Sequence, residues 1–532
     1  MARTPLMQML KRATRQVALE RRLAEGAAVP TKPAAATLSR RDVLFGAAAT
    51  GAATLFPLPG LAQEATIAVV GAGLAGLAAA HRLRTRFGLN AHVYEGNTRV
   101  GGRCFTARGI FAQNQIAEHG GELIDTDQVA IQRLAAELGL TLTDVLAAVP
   151  PGTKALYRFN DRPYDLADAT RDWRPIHHLV KQQSNRIGDF GFPHRPTDAA
   201  KRFDAMTISE WVGRYIPGGR RSQLGQLIEN AFTEENALDA DEQSALCAIP
   251  TLADNPRNNF QLYYVDSDQH YHIQGGNDQI ATIIANQLGA RLHTATALIA
   301  IRRLPSGRIR LTFAQSSGTF DRDFDRVILT IPFSVMRVAV DFSQAGFRPR
   351  KVRAINELAM GVSCKTQLQF TRRKWYDVGC NSEIRLPAVA FDTTWDVTRG
   401  QPGQAGIFNF FAGGTQSIRA GEIDDNSLAL LLMREAAPLI PGLSGLWNGL
   451  MIKNAWQFNP WSYGSYSTYR PGYQTTLLGF ERLPEGNCFF AGEHTADENG
   501  FLNSAVQTGN RAAREVAESL SNPPPSGNLA EH

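Results

Sequence analysis

The sequence predicts an α/β protein of two domains, one built on a Rossmann-like strand–turn–helix unit and the other of mixed α+β type. Three observations carry this prediction. The chain has 532 residues, more than one simple core accommodates. A β-branched apolar run, Ala65-Thr66-Ile67-Ala68-Val69-Val70, leads directly into Gly71-Ala72-Gly73-Leu74-Ala75-Gly76. A second short run, Ala91-His92-Val93-Tyr94, then ends in an acid, Glu95.

Each part of this unit has a physical reason. Residues 65–70 read as a buried strand. Gly71 permits a tight turn, Gly73 lets the backbone approach a pyrophosphate, and Gly76 lets the helix that follows pack against the strand. That helix, with Leu77-Ala78-Ala79-Ala80-His81-Arg82-Leu83 in it, points its N-terminus at the phosphate charge. Glu95 lies 19 residues beyond Gly76, at the end of the second strand, where a carboxylate can accept ribose hydroxyl hydrogens. Strand, glycines, helix, strand and acid in this order predict a bound dinucleotide.

The net charge of +5 belongs to the N-terminus. Residues 1–62 hold nine basic and three acidic side chains, so the remaining body is near neutral and gives no electrostatic reason for a nucleic-acid partner. Ser39-Arg40-Arg41-Asp42 precedes a charge-free stretch, Val43 to Gln63, that is only mildly apolar and is broken by Pro57 and Pro59. A membrane span needs about 20 strongly apolar residues. Twin arginines before a weak apolar region instead resemble a bacterial twin-arginine export signal, with cleavage expected after Ala62 and a periplasmic mature protein. Export by that machinery takes folded proteins, which suits a chain that acquires its cofactor in the cytoplasm. Leu6, Leu10, Ala13 and Val17 recur at helical spacing ahead of the signal.

The five cysteines (Cys104, Cys247, Cys364, Cys380 and Cys488) form no CxxC pair and are odd in number, so buried free thiols are expected. Asp266, Asp268, His270 and His272 are clustered but irregularly spaced, and no metal site is expected there.

Immediately after Glu95 comes Arg99-Val100-Gly101-Gly102-Arg103, for which a nicotinamide fold has no need. Further motifs follow in order: Glu118-His119-Gly120-Gly121-Glu122-Leu123, Ile273-Gln274-Gly275-Gly276-Asn277, Phe324 to Pro332, and Met360-Gly361-Val362-Ser363-Cys364-Lys365. Trp456 with Gly464-Ser465-Tyr466, then Phe490-Ala491-Gly492-Glu493-His494-Thr495 and Gly500-Phe501-Leu502-Asn503-Ser504-Ala505, complete the series. Together they resemble the flavin-containing amine oxidase superfamily, of monoamine oxidase, polyamine oxidase and L-amino-acid oxidase type, over roughly residues 65–520.

The resemblance implies a flavoprotein that binds FAD. It places the cofactor against Gly71, Ala72, Gly73, Ala75 and Gly76, then Glu95 and Gly96, then Gly102 and Arg103. Gly120, Gly121, Glu122 and Leu123 would lie beneath the flavin, with Leu298 also in contact. Gly492, Glu493, Phe501, Leu502, Asn503 and Ala505 would close the site. Lys365 matches the lysine that holds a water at flavin N5, although the partial alternation of residues 364–370 also permits a solvent-facing lysine. Tyr466 and Phe501 match an aromatic sandwich over the flavin, and Trp456 would line the same wall. Ser465 stands where mitochondrial-type monoamine oxidases carry a flavin-bonded cysteine, which implies non-covalent FAD. Leu123 stands where snake-venom-type L-amino-acid oxidases carry a carboxylate-binding arginine, which disfavours amino-acid substrates unless Arg108 or another arginine substitutes. Asp125 lies near an acidic position of polyamine oxidases, where it would attract a distant ammonium; it could equally cap a helix, with Asp127 competing.

The implied reaction is hydride transfer from an amine to flavin N5, hydrolysis of the imine to a carbonyl, and reduction of oxygen to hydrogen peroxide. Four alternatives stay open on these residues. They are an L-amino-acid oxidase, an amine dehydrogenase with a periplasmic electron acceptor, a flavin-dependent C–C desaturase or oxidase, and a non-catalytic FAD-binding protein. A homodimer is the default assembly. The FAD domain is expected to be discontinuous, over 63–125, 270–335 and 455–520, with 126–269 and 336–454 forming the substrate domain and 521–532 a flexible tail. Helices are expected at Gln128–Leu138 and Ile208–Tyr215, and strands near 364–370 and 406–411.

Overall fold

The computed structural model describes residues 65–260 and 268–521. At its centre is a five-stranded sheet in the order Cys488–Phe490, Arg326–Leu329, Ile67–Val70, Ala91–Tyr94, Leu292–His293, with each neighbouring pair parallel. Parallel strands covered on both faces must be apolar, and Ile67–Val70 is buried at all four positions. The register sets Val70 beside Tyr94 and Leu329, so the strands end together. The Gly71 turn, Glu95, Thr330 and Gly492 therefore share one edge, the edge at which open α/β sheets bind ligands. All five strands fall within 63–125, 270–335 and 455–520.

Two helices, Leu74–Phe87 and Leu502–Ser521, cover one face together. They approach closely because Gly509 has no side chain: a Cβ there would stand 2.3 Å from the Ala75 carbonyl oxygen. On the other face a smaller sheet, containing Ala297–Arg303 and Ile309–Gln315, packs through Phe313, whose ring stacks 4.2 Å from that of Tyr94.

The second unit holds an antiparallel sheet in the order Thr393–Asp396, Gly406–Gly413, Ser363–Phe370, Trp447–Ala455. Its two central strands are buried at all eight positions each. This corrects the expectation that alternation within 364–370 could place Lys365 in solvent. The alternation is present, with Cys364, Leu368 and Phe370 facing an apolar core, but the polar side is also covered. Lys365 Nζ donates to Gly120 O, Gln367 Nε2 to Glu118 O and Gln369 Nε2 to Ala112 O, so the polar row meets the backbone of 112–120.

The helix at Ile208–Tyr215 forms over the expected residues, behind a capping box of Thr207 and Glu210. The other expected helix forms at Val129–Glu137, but its cap is not the local aspartate anticipated from sequence. The Ala130 and Ile131 N–H groups donate to Asn503 Oδ1 at 3.0 and 3.1 Å. Asp125 is fully buried and accepts from Gln269 N and Gln128 Nε2, both at 2.7 Å, so it ties the loop ends together. All five cysteines are free and buried. Asp266 lies outside the described residues; Asp268 accepts from Thr126, His270 sits 3.1 Å from Asp144, and His272 Nε2 is 2.9 Å from Glu118. Among the described residues these side chains form no metal-holding group and no helix is long and apolar enough to cross a membrane. The twin-arginine motif, the cleavage position after Ala62, the helix-like spacing at 6–17 and the tail beyond 521 lie outside the described residues.

Candidate active site

The shared strand edge opens on a cavity of about 400 Å³. Its floor is the glycine turn. Gly71 adopts φ +102°, and a Cβ there would meet Thr330 Oγ1 at 2.5 Å. At Gly76 a Cβ would meet the Gly71 carbonyl oxygen at 1.9 Å, so the helix starts directly on the turn. Gly73 is the opposite case: it lines the cavity, and a Cβ would find nothing of the protein within 4 Å. That open space at the N-terminus of a 14-residue helix, with no acidic side chain in its first turn, suits a phosphate group.

Glu95 closes the turn from the second strand. Its carboxylate accepts from Ala72 N at 2.6 Å and Asn97 N at 2.8 Å. Burial raises the Glu95 carboxyl above its ordinary range, and the two N–H donors offset part of that rise. The second loop faces the first: a Cβ on Gly102 would stand 3.3 Å from Gly73 Cα, and Gly101 N donates to Ala72 O at 2.8 Å. Arg103 reaches across to the C-terminal motif, donating from Nη1 to Glu493 Oε1 at 2.8 Å and Ser465 O at 2.6 Å. Glu493 also accepts from Gly500 N and Ser467, which draws the closing motif onto the aromatic segment.

The structure brings most of the sequence-derived site residues onto one wall. Gly71, Gly73, Ala75, Glu95, Gly96, Gly102 and Arg103 line the cavity at one end. Gly120, Gly121, Leu298, Gly492, Glu493, Phe501, Leu502 and Ala505 line the rest, with Trp456 and Tyr466. Six stand one layer back. Ala72 gives its N–H to Glu95, Gly76 is sealed under Gly71, and Asn503 caps the neighbouring helix. Leu123 is a core side chain. Lys365 and Glu122 lie behind Gly120, joined Nζ to Oε2 at 2.5 Å. Arg108 is occupied by Asp278 at 2.7 Å and by the Gly275 carbonyl, away from the cavity. Reasoning from sequence missed Trp461 and Tyr463, two half-exposed aromatics at the cavity wall, and Trp395, whose indole donates to Glu122 Oε1 at 2.9 Å. The run Trp461-Ser462-Tyr463 beside Gly464 was a signal for the first two; Trp395 had none.

His494 lies under this edge, fully enclosed, with neither ring nitrogen hydrogen-bonded among the described residues. Its ring meets Phe333 edge-on at 4.5 Å, and burial pushes its pKa down to about 3. A depressed folded pKa contributes stability above the unfolded value of about 6.5, and that stability is lost as pH falls toward 3. At pH 5 the loss is about 2 kcal/mol. A His494→Leu protein is expected to lose less melting temperature between pH 7.5 and pH 5 than wild type, by about 2 °C. Equal losses would mean that His494 is protonated in the folded protein.

The glycine cradle, helix N-terminus, ribose-side acid and aromatic far end fit a flavin dinucleotide. The family model for flavin containing amine oxidoreductases matches residues 74–517. A Mycobacterium tuberculosis chain carrying the name flavin-containing monoamine oxidase AofH is 29% identical over 85% of this chain and 97% of its own. The flavin-containing amine oxidase B of Cavia porcellus is 27% identical over 86% and 87% of the two chains. The solved cyclohexylamine oxidase from Brevibacterium oxydans IH-35A superposes with a TM-score of 0.72 at 18% identity, covering 86% of this chain and all of that one. Seven ordered motifs, one cavity and a match across most of the chain agree: the protein belongs to the flavin-containing amine oxidoreductases, and it is an FAD-dependent enzyme of that family.

Proposed function

We propose that the enzyme oxidises an amine lacking an α-carboxylate to the corresponding imine, with oxygen as electron acceptor. One observation carries the substrate class: the only cations on the cavity wall among the described residues are Arg99 and Arg103. Arg103 is spent on Glu493 and Ser465 O, and Arg99 on the Val100 and Gly102 carbonyls. At the aromatic end, a substrate carboxylate would enter a desolvated space with no cation to receive it.

Bound in this cavity, FAD supplies a hydride acceptor for the carbon next to the amine nitrogen and an electron donor to oxygen. The chain's own residues do the positioning. Tyr466, with its hydroxyl anchored on Glu234 O at 3.0 Å, and Phe501 present ring surface to the amine, and Trp456 is fixed through Nε1 to His119 O at 3.0 Å. Such faces exclude water and favour the neutral amine whose lone pair stabilises the forming iminium. Water then hydrolyses the imine to a carbonyl. Ser465 gives its hydroxyl to Gly361 O at 2.9 Å and offers no thiol, which supports non-covalent FAD. Lys365 is taken as the cofactor-side lysine, and segments 63–125, 270–335 and 455–520 as the FAD domain. The order of Arg40-Arg41, apolar run and small residues before Gln63 supports twin-arginine export to the periplasm.

The test is flavin absorbance near 450 nm, recorded without oxygen while aliphatic and aromatic amines or L-amino acids are added. Bleaching by amines, at least about 100-fold faster than by amino acids of the same side chain, is expected. Faster bleaching by L-amino acids would overturn the substrate class while leaving the enzyme class intact.

A further inference from the structure

Behind the cavity wall sits a buried charge pair that the motifs did not reveal. Lys365 occupies the central strand Ser363–Phe370, and its side chain is fully enclosed. Its Nζ donates to Glu122 Oε2 at 2.5 Å and to Gly120 O at 3.2 Å, and lies 5.4 Å from the Trp395 ring centre. Glu122 is almost fully buried as well, and its second oxygen accepts from Trp395 Nε1 at 2.9 Å. The backbone is equally constrained, since Asn277 Nδ2 donates to Glu122 O at 2.6 Å. Gly120 and Gly121, which carry this unit, line the cavity, and a Cβ on Gly120 would stand 3.1 Å from Trp456. The pair is thus one residue layer from the aromatic end.

We propose that Glu122 is a positioning residue for amine oxidation: its carboxylate, fixed by Trp395, keeps Lys365 a cation and holds that ammonium against the Gly120 carbonyl, behind the reacting end of the cavity. This rests on the reading of Lys365 as the cofactor-side lysine. It assigns the carboxylate the part of a counter-ion, in a site where Nζ otherwise meets, among the described residues, only the Gly120 carbonyl and the face of Trp395.

The physical argument is one of compensation. An ammonium stripped of water at a site this enclosed sheds its proton unless a counter-ion stands beside it. Burial would raise the Glu122 carboxyl, but the Lys365 charge and hydrogen bond, with the Trp395 hydrogen bond, outweigh it and hold the carboxyl below its ordinary value. The other titratable groups facing the pair are His119, His272 and Glu118. His272 Nε2 is turned onto Glu118 Oε1 at 2.9 Å. His119 is pushed below its usual range by burial first and by the Lys365 cation in smaller part, against the bond between its Nδ1 and Asn454 Oδ1. None of the three replaces Glu122 as a direct partner of Nζ. From the strand Trp447–Ala455, Asn454 pairs with Lys365 in register, while Lys453 turns to Asp425 and Ile423 O.

The experiment compares Glu122→Gln, Lys365→Met and the double variant with wild-type holoenzyme. Anaerobic reduction by one amine is followed from pH 6 to pH 10, and the midpoint potential of the bound flavin is measured at each pH. The Glu122→Gln rate relative to wild type should fall by about 10-fold per pH unit above a new ionisation, down to the Lys365→Met level. Its potential should drop below that of wild type across the same interval. In the Lys365→Met background, Glu122→Gln should leave the rate unchanged at every pH. Trp395→Phe, which removes the indole donor and reduces the ring beside Lys365, should shift both in the same direction and serves if Glu122→Gln does not fold. A pH-independent rate ratio, or an undiminished effect of Glu122→Gln without Lys365, would overturn the proposal. A Lys365→Met enzyme with wild-type rates would instead sink the reading of Lys365 itself.

Discussion

A Gly76→Ala protein is expected to emerge from purification either unfolded or without flavin. The added methyl would lie 1.9 Å from the Gly71 carbonyl oxygen and 3.0 Å from Thr330 Oγ1. Neither can withdraw easily. Gly71 is itself held at φ +102° with Thr330 at its back, and Thr330 Oγ1 donates to Val70 O at 2.8 Å. The helix and turn must therefore separate, at a cost of about 3 kcal/mol or more from overpacking a backbone contact. Gly73→Ala should behave differently. Gly73 has φ −72° and ψ 176°, ordinary for any residue, and its Cβ would meet no protein atom within 4 Å. Stability of the flavin-free protein should change by only about 0.5 kcal/mol, while the methyl projects into the cavity and weakens flavin binding. Flavin content by absorbance and melting temperature of the stripped proteins separate the two outcomes. A Gly76→Ala protein carrying one flavin per chain would mean that the cofactor does not lie on this turn.

Lys365→Met should lower the rate of flavin reduction by about 100-fold, the scale of losing one positioned catalytic group. It should also lower stability, because it leaves the Glu122 carboxylate buried without its counter-ion, at about 3–5 kcal/mol. Adding Glu122→Gln to the same chain removes the stranded charge and should restore much of the melting temperature while leaving the rate low. Rapid-mixing absorbance and thermal unfolding on the single and double variants give both numbers. Recovery of rate together with stability would show that Lys365 contributes to the fold alone.

What was legible in the sequence was contiguous. The glycine turn, the helix that starts on it and the acid at the end of the next strand occupy residues 67–95, and each has a conformational reason that the chain carries locally. The helix Ile208–Tyr215 was legible for the same reason, because Thr207 and Glu210 cap it from within the segment. Glu95 was placed correctly at the turn, although in the structure its carboxylate binds the backbone of Ala72 and Asn97.

What only the tertiary structure decided are the partners joined across long stretches of chain. Alternation within 363–370 told which side chains share a face but not that the polar face is covered, since burial depends on what packs there. The meeting of Lys365 with Glu122 and Trp395, of Arg103 with Glu493, and of Asn503 with the start of another helix each requires two segments to be brought together. The sequence by itself determined the glycine turn and the strand and helix on either side of it, because backbone conformation is a local property. The ion pair behind the cavity wall and, among the described residues, the engagement of both arginines that line it depend on the fold, because the energy of a charge depends on its surroundings.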